Sequence, residues 1–266
     1  MTWLVLRSCI CVVSLPQPSQ SSPSAAPSLS DALDTASGKH ARVKHPWSTY
    51  YNPAVVELLK RRCQQEHVRC GQYDLYEFGV FTGRSMKGYV SQLDEAGVQY
   101  AHYWGFDSFV GLPDERATIA RSTVSASDWQ AGSFSASEVL KVHTYSSLER
   151  TILRFVNDSR VNLVRGFYNE SLTRTIAIER QMRPALFVEI DCDLYVSTIT
   201  ALDWMMTNRL IVAGTLLVYN DWRAGGESSG ESLAHTEVCA KYNVTTRRVP
   251  SKYEVIWRVE RIGRPA

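Results

Sequence analysis

Two short stretches of the chain concentrate hard oxygen donors: Glu189-Ile190-Asp191-Cys192-Asp193 and, further on, Tyr219-Asn220-Asp221. Carboxylate and amide oxygens suit Mg2+, which takes an octahedral shell completed by water or substrate oxygens. Asp191, Asn220 and Asp221 are the candidate metal ligands, with Asp193 beside them. A divalent ion there would stabilise a developing alkoxide, and so make a hydroxyl a better nucleophile. Asp191 or Asp193 would take the proton, and His235, whose ordinary pKa lies near neutrality, is the alternative catalytic base. The competing reading of Asp191 and Asp193 is helix capping, for which Ser197 is an equally good candidate.

A second constellation lies in Tyr76-Glu77-Phe78-Gly79-Val80-Phe81-Thr82-Gly83-Arg84-Ser85. Glycines at 79 and 83 allow a tight turn and close approach of a ligand to the backbone, and a following helix offers free N–H groups. The spacing is not GxGxxG, so the dinucleotide phosphate loop is not satisfied. Asp107-Ser108, after the next apolar run, occupies the place where a doubly wound fold holds a ribose through its hydroxyls; the alternative is a turn or helix cap. An adenosine-bearing cofactor without a pyrophosphate needs the acid and the glycine turn but not the full phosphate loop. S-adenosylmethionine is such a cofactor.

Short apolar runs positioned to be strands occur at Leu75–Gly79, Tyr103–Phe106, Val161–Val164, Ala185–Ile190, Gly214–Tyr219 and Glu254–Val259, with a further one at Val244–Val249. Between them, segments beginning at Ser85, Ser147, Ser197 and Gly230 carry apolar residues at helical spacing. Alternation of strand and helix predicts a parallel sheet covered on both faces, with ligands at the carboxyl ends of the strands. Gly166-Phe167, after the third strand, joins the same set of strand ends. The segment from Val110 to Ser135 is long for a loop and reads as partly a lid, with Trp129 and Phe134 placed to pack on an adenine ring.

The 266 residues, 44% hydrophobic and 21% charged, suit one α/β core. A net charge of +2 with scattered basic residues gives no electrostatic case for nucleic acid. Residues 1–45 read as a disordered Ser/Pro-rich tail with an apolar opening that could target the chain, and 46–266 as the folded domain. Arg7 interrupts that opening, which is too short for a membrane span. The six cysteines form no CxxC or zinc pattern and favour a reducing, cytoplasmic location; organellar or secretory targeting is the alternative, in which Cys63 and Cys70 could pair. Three glycosylation sequons, at Asn157, Asn169 and Asn243, are read as chance occurrences.

The blocks Tyr76–Tyr89, Tyr103–Glu115, Gly166–Leu172, Val188–Asp203 and Gly214–Trp222 followed by Gly230–Glu237 resemble, in order, those of the macrocin O-methyltransferase family, enzymes that methylate sugar hydroxyls on macrolide antibiotics. The resemblance runs from about residue 50 to the C-terminus. It implies a class I methyltransferase fold: a doubly wound, Rossmann-like α/β architecture with a seven-stranded, mostly parallel sheet whose last strand is antiparallel. It further implies S-adenosylmethionine as methyl donor and Mg2+ at the substrate. The cofactor-binding set expected on this basis is Glu77, Gly79, Phe81, Gly83, Ser85, Asp107, Ser108, Trp129, Gly166, Phe167 and Asp191. The family usually has an acid where this chain has Asn220, so Asn220→Asp is expected to tighten the metal. Tyr195, Trp222 and Arg223 are placed on the acceptor side.

The sequence thus reads as a Mg2+-dependent, S-adenosylmethionine-dependent O-methyltransferase acting on a hydroxyl of a small molecule, a sugar or glycosylated natural product. A homo-oligomer is left open. The alternatives are an S-adenosylmethionine-binding protein with impaired catalysis and, less favoured, a NAD-dependent dehydrogenase.

Overall fold

Short β-branched and aromatic runs, buried along nearly their whole length in the central strands, build one seven-stranded sheet with helices on both faces. The structure is a computed structural model and describes residues 51–114, 130–223, 228–252 and 254–263. The expected N-terminal tail and Trp129 lie outside the described residues. In chain order the strands are β1 (Asp74–Phe78), β2 (Tyr103–Asp107), β3 (Val161–Arg165), β4 (Ala185–Ile190), β5 (Leu216–Tyr219), β6 (Val244–Val249) and β7 (Val255–Ile262). Their order across the sheet is β3-β2-β1-β4-β5-β7-β6. The neighbours from β3 through β5 are parallel, while β7 runs antiparallel to both β5 and β6. All seven expected strands are present, with ends shifted by up to three residues, and the antiparallel last strand is as anticipated.

The longer helices are α1 (Pro53–Gln64), α2 (Arg84–Glu95), α4 (Tyr145–Val156), α7 (Tyr195–Thr207) and α8 (Gly230–Lys241). Shorter ones are α3 (Ala136–Leu140), α5 (Tyr168–Ser171) and α6 (Ile176–Glu179). Asn52 starts α1 by accepting the Ala54 N–H, with Pro53 in the first turn, where a missing N–H costs nothing. The period of two on each strand sends Leu75, Tyr103, Phe187 and Val218 to the face packed by Leu59, Tyr89 and Ile152 of α1, α2 and α4. Tyr76, Phe78, Phe106, Val188, Ile190 and Tyr219 go to the other face, against Ala201 and Met205 of α7 and Val238 of α8. Burying each such large side chain contributes about 1.5–3 kcal/mol, so both layers hold the strand ends in place.

Cys63, in α1, is joined by a disulfide to Cys70, in a single 3-10 turn before β1. This is the pairing that the sequence leaves open for an exported chain. Among the described residues no helix is long and apolar enough to cross a membrane.

Candidate active site

Hydrogen bonding continues one residue past the strands, which brings their carboxyl ends level. The N–H of Gly79 donates to the Phe106 carbonyl, that of Gly166 to Asp107, that of Asp191 to Phe78 and that of Asn220 to Ile190, at 2.9–3.0 Å. At β1 the chain then turns away sharply. Gly79 has φ +99°, and a Cβ there would lie 1.9 Å from the Asp191 carbonyl oxygen, so glycine alone fits between β1 and β4. Gly83 serves packing instead: it opens α2 in the left-handed region, and a Cβ would meet Ile152 of α4 at 2.8 Å.

Above these ends lies a cavity of about 590 Å³. Gly79, Phe81, Asp107, Ser108, Gly166 and Phe167 line one part, and Asp191 and Asp193 another. Phe134 also lines it and meets Phe81 edge to face, with ring centres 6.5 Å apart. Among the described residues, no Lys, Arg or His side chain lines it.

Asp107 accepts the Phe81 N–H at 2.8 Å and the Phe109 N–H at 2.5 Å, so the acid read as a ribose ligand also braces the glycine turn. Burial holds its carboxyl above its ordinary value, against the pull of these amides. Ser108 donates to the Gly111 carbonyl at 2.7 Å. Glu77 and Ser85 do not line the cavity. Ser85 donates to Glu77 at 2.5 Å and Tyr103 donates to its other oxygen, while burial pushes the Glu77 carboxyl up to about 7. Glu77 therefore organises the turn from behind.

Asp191, Asp193 and Asp221 form one cluster, with a carboxylate oxygen of each within 4.8 Å of the other two. Desolvation by the surrounding protein, then the charges of Asp221 and Asp193, raise the Asp191 carboxyl; because Asp191 is exposed at the cavity, repulsion from its two neighbours is the firmer cause. Asp221 is raised too, first by burial, and hydrogen bonding with Asp193 and Asp191 opposes this. Three acids this close repel one another when ionised, and a cation among their oxygens would relieve that repulsion. None of them caps a helix, because the N-cap of α7 is Leu194.

The Asn220 amide N–H is engaged elsewhere than in that cluster. Its side-chain amide donates to Glu189 Oε1 at 2.9 Å, turned toward the buried carboxylate that also receives the Tyr89 hydroxyl. His235 is likewise elsewhere: 5% exposed, it bonds Tyr219 at 2.9 Å, stacks on Trp257 and is absent from the cavity lining. Burial pushes its pKa down to about 4. Trp222 packs in the same aromatic group, Tyr195 donates to Glu237, and Arg223 is exposed; none lines the cavity.

Tyr168, Ser197 and Thr200 line the cavity without having been singled out as site residues. The last two are three apart on α7, a spacing that puts them on one helix face once that helix is known to follow the acidic strand end.

This sheet order and these strand ends are those of the class I methyltransferases, and solved structures agree. The O-methyltransferase NovP superposes with a TM-score of 0.56 at 20% identity, covering 78% of this chain and 78% of that one. CalS11, a calicheamicin methyltransferase, does so with a TM-score of 0.51 at 20% identity, covering 76% and 78% respectively. No curated protein sequence matches the chain. The macrocin O-methyltransferase (TylF) family matches residues 57–233, and the chain belongs to that family. It is an S-adenosylmethionine-dependent O-methyltransferase, and the dehydrogenase alternative falls away.

Proposed function

We propose that the chain methylates a hydroxyl of a sugar or glycosylated natural product, with a divalent cation, Mg2+ by the chemistry of its donors, held by Asp191, Asp193 and Asp221. The observation that carries the cation is the convergence of three carboxylate oxygens, all within 4.8 Å of one another, on two of the strand-end loops at the cavity. The family's association with macrocin and the description of CalS11 as a calicheamicin methyltransferase support the acceptor class.

S-adenosylmethionine supplies an electrophilic methyl group and the cation supplies positive charge for an alkoxide; the chain's own residues do the rest. The Gly79 turn, Asp107 and the Phe81–Phe134 pair offer a backbone cradle, a hydroxyl acceptor and an aromatic wall at one part of the cavity. Tyr168 and Phe167 help exclude water. Asp191 or Asp193 accepts the proton from the acceptor hydroxyl, since His235 lies outside the cavity.

The test is a screen of hydroxylated sugars and glycosides with radiolabelled methyl donor, run with Mg2+ and with excess chelator. Turnover that requires the cation and is lost in Asp221→Ala, with S-adenosylhomocysteine affinity preserved, is the expected result. Full activity in chelator would sink the metal reading.

A further inference from the structure

Behind the three-carboxylate cluster lies a fourth acid that the proposed chemistry does not use. Glu231, the second residue of α8, is 0% exposed. Its Oε2 accepts the backbone N–H of Asp221 at 2.9 Å, and its Oε1 accepts that of Cys192 at 3.4 Å. Cys192 stands between Asp191 and Asp193 in the chain, so one side chain ties together the two loops that carry the cluster. No Lys, Arg or His is paired with Glu231 among the described residues.

A buried carboxylate without a cationic partner is costly. Two backbone amides offset part of that cost. Groups behind metal ligands fix ligand orientation and raise affinity without touching the ion.

We infer that Glu231 is a positioning residue for the cation site: it locks the Cys192 and Asp221 backbones so that Asp191, Asp193 and Asp221 face one point. The inference rests on the proposed cation. It also explains how α8, which contributes nothing to the cavity lining, bears on the site.

Mn2+ alone serves as probe, titrated into the full chain and followed by electron paramagnetic resonance, with S-adenosylhomocysteine affinity measured in parallel. Glu231→Gln is expected to weaken Mn2+ about 10–100-fold, the range for such supporting groups, with S-adenosylhomocysteine affinity within about twofold. A purely structural anchor would lower thermal stability but leave Mn2+ affinity, measured well below the unfolding temperature, where it was. Mn2+ affinity of Glu231→Gln within about twofold of wild type, on that same scale of effects, therefore overturns the inference. Should Glu231→Gln not fold, Glu231→Asp, one methylene short of spanning both amides, is read against the same thresholds. Wild type that binds S-adenosylhomocysteine but no Mn2+ overturns the cation itself, a different failure from wild-type and variant chains that bind Mn2+ equally.

Discussion

Gly79 and Asp191 meet so closely at the ends of β1 and β4 that a Cβ on Gly79 would stand 1.9 Å from the Asp191 carbonyl oxygen. The Gly79 turn and the acidic cluster are thus parts of one contact. Gly79→Ala is expected to push Asp191 out of place and to strain a φ of +99°, costing about 1–3 kcal/mol for the backbone strain alone. Chemical denaturation and S-adenosylhomocysteine titration check this; full stability with full affinity would contradict the contact. A substitution here that weakens the cofactor while leaving the fold untouched, as the glycine turn alone suggests, is not expected.

Asn220→Asp reverses sign between sequence and structure. Reading the position as a metal ligand makes the added acid favourable, yet the Asn220 amide donates to Glu189, which is 4% exposed and whose carboxyl burial already holds high. A carboxylate there removes a donor and adds a like charge, so a loss of about 1–3 kcal/mol is expected. The loss should be greater at pH 8 than at pH 6 in urea denaturation. Tighter Mn2+ binding without destabilisation would restore the ligand reading.

His235 predicts a pH dependence of stability rather than of catalysis. Its pKa is depressed to about 4 in the folded chain, so its contribution is complete above the unfolded value near 6.5 and is lost as pH falls through 4. The full contribution is on the order of 3 kcal/mol. The stability difference between wild type and His235→Phe should shrink from pH 7 to pH 4. The pH–rate profile of methylation should be the same for both, and a shifted profile would return His235 to the list of bases.

Asp107→Ala removes the acceptor of the Phe81 and Phe109 N–H groups as well as the acid placed for a ribose. S-adenosylhomocysteine affinity is expected to fall by about 1.5–3 kcal/mol, the range for a hydrogen bond to a charged group. Unchanged affinity by calorimetry would remove Asp107 from the cofactor site.

Local pattern was enough for much of this protein. Apolar runs such as Ala185–Ile190 and the helical spacing between them determine a parallel α/β sheet, because burial on both faces imposes those periods. The polar strand ends at Gly79, Asp107, Gly166 and Asp191 follow from the same reading, since that fold opens its cavity there. Side-chain direction and distant pairing were out of reach. Asn220 and Asp221 are adjacent in sequence, yet one turns to Glu189 and the other to Asp191 and Asp193. His235 follows the acidic block but is buried on α8 among Tyr219, Trp222 and Trp257, and Glu231, from the same helix, reaches the backbone of Cys192. Periodicity sets which face a residue takes, whereas the carboxylate that meets a given amide is decided only when separate elements pack and every buried polar group must find a partner.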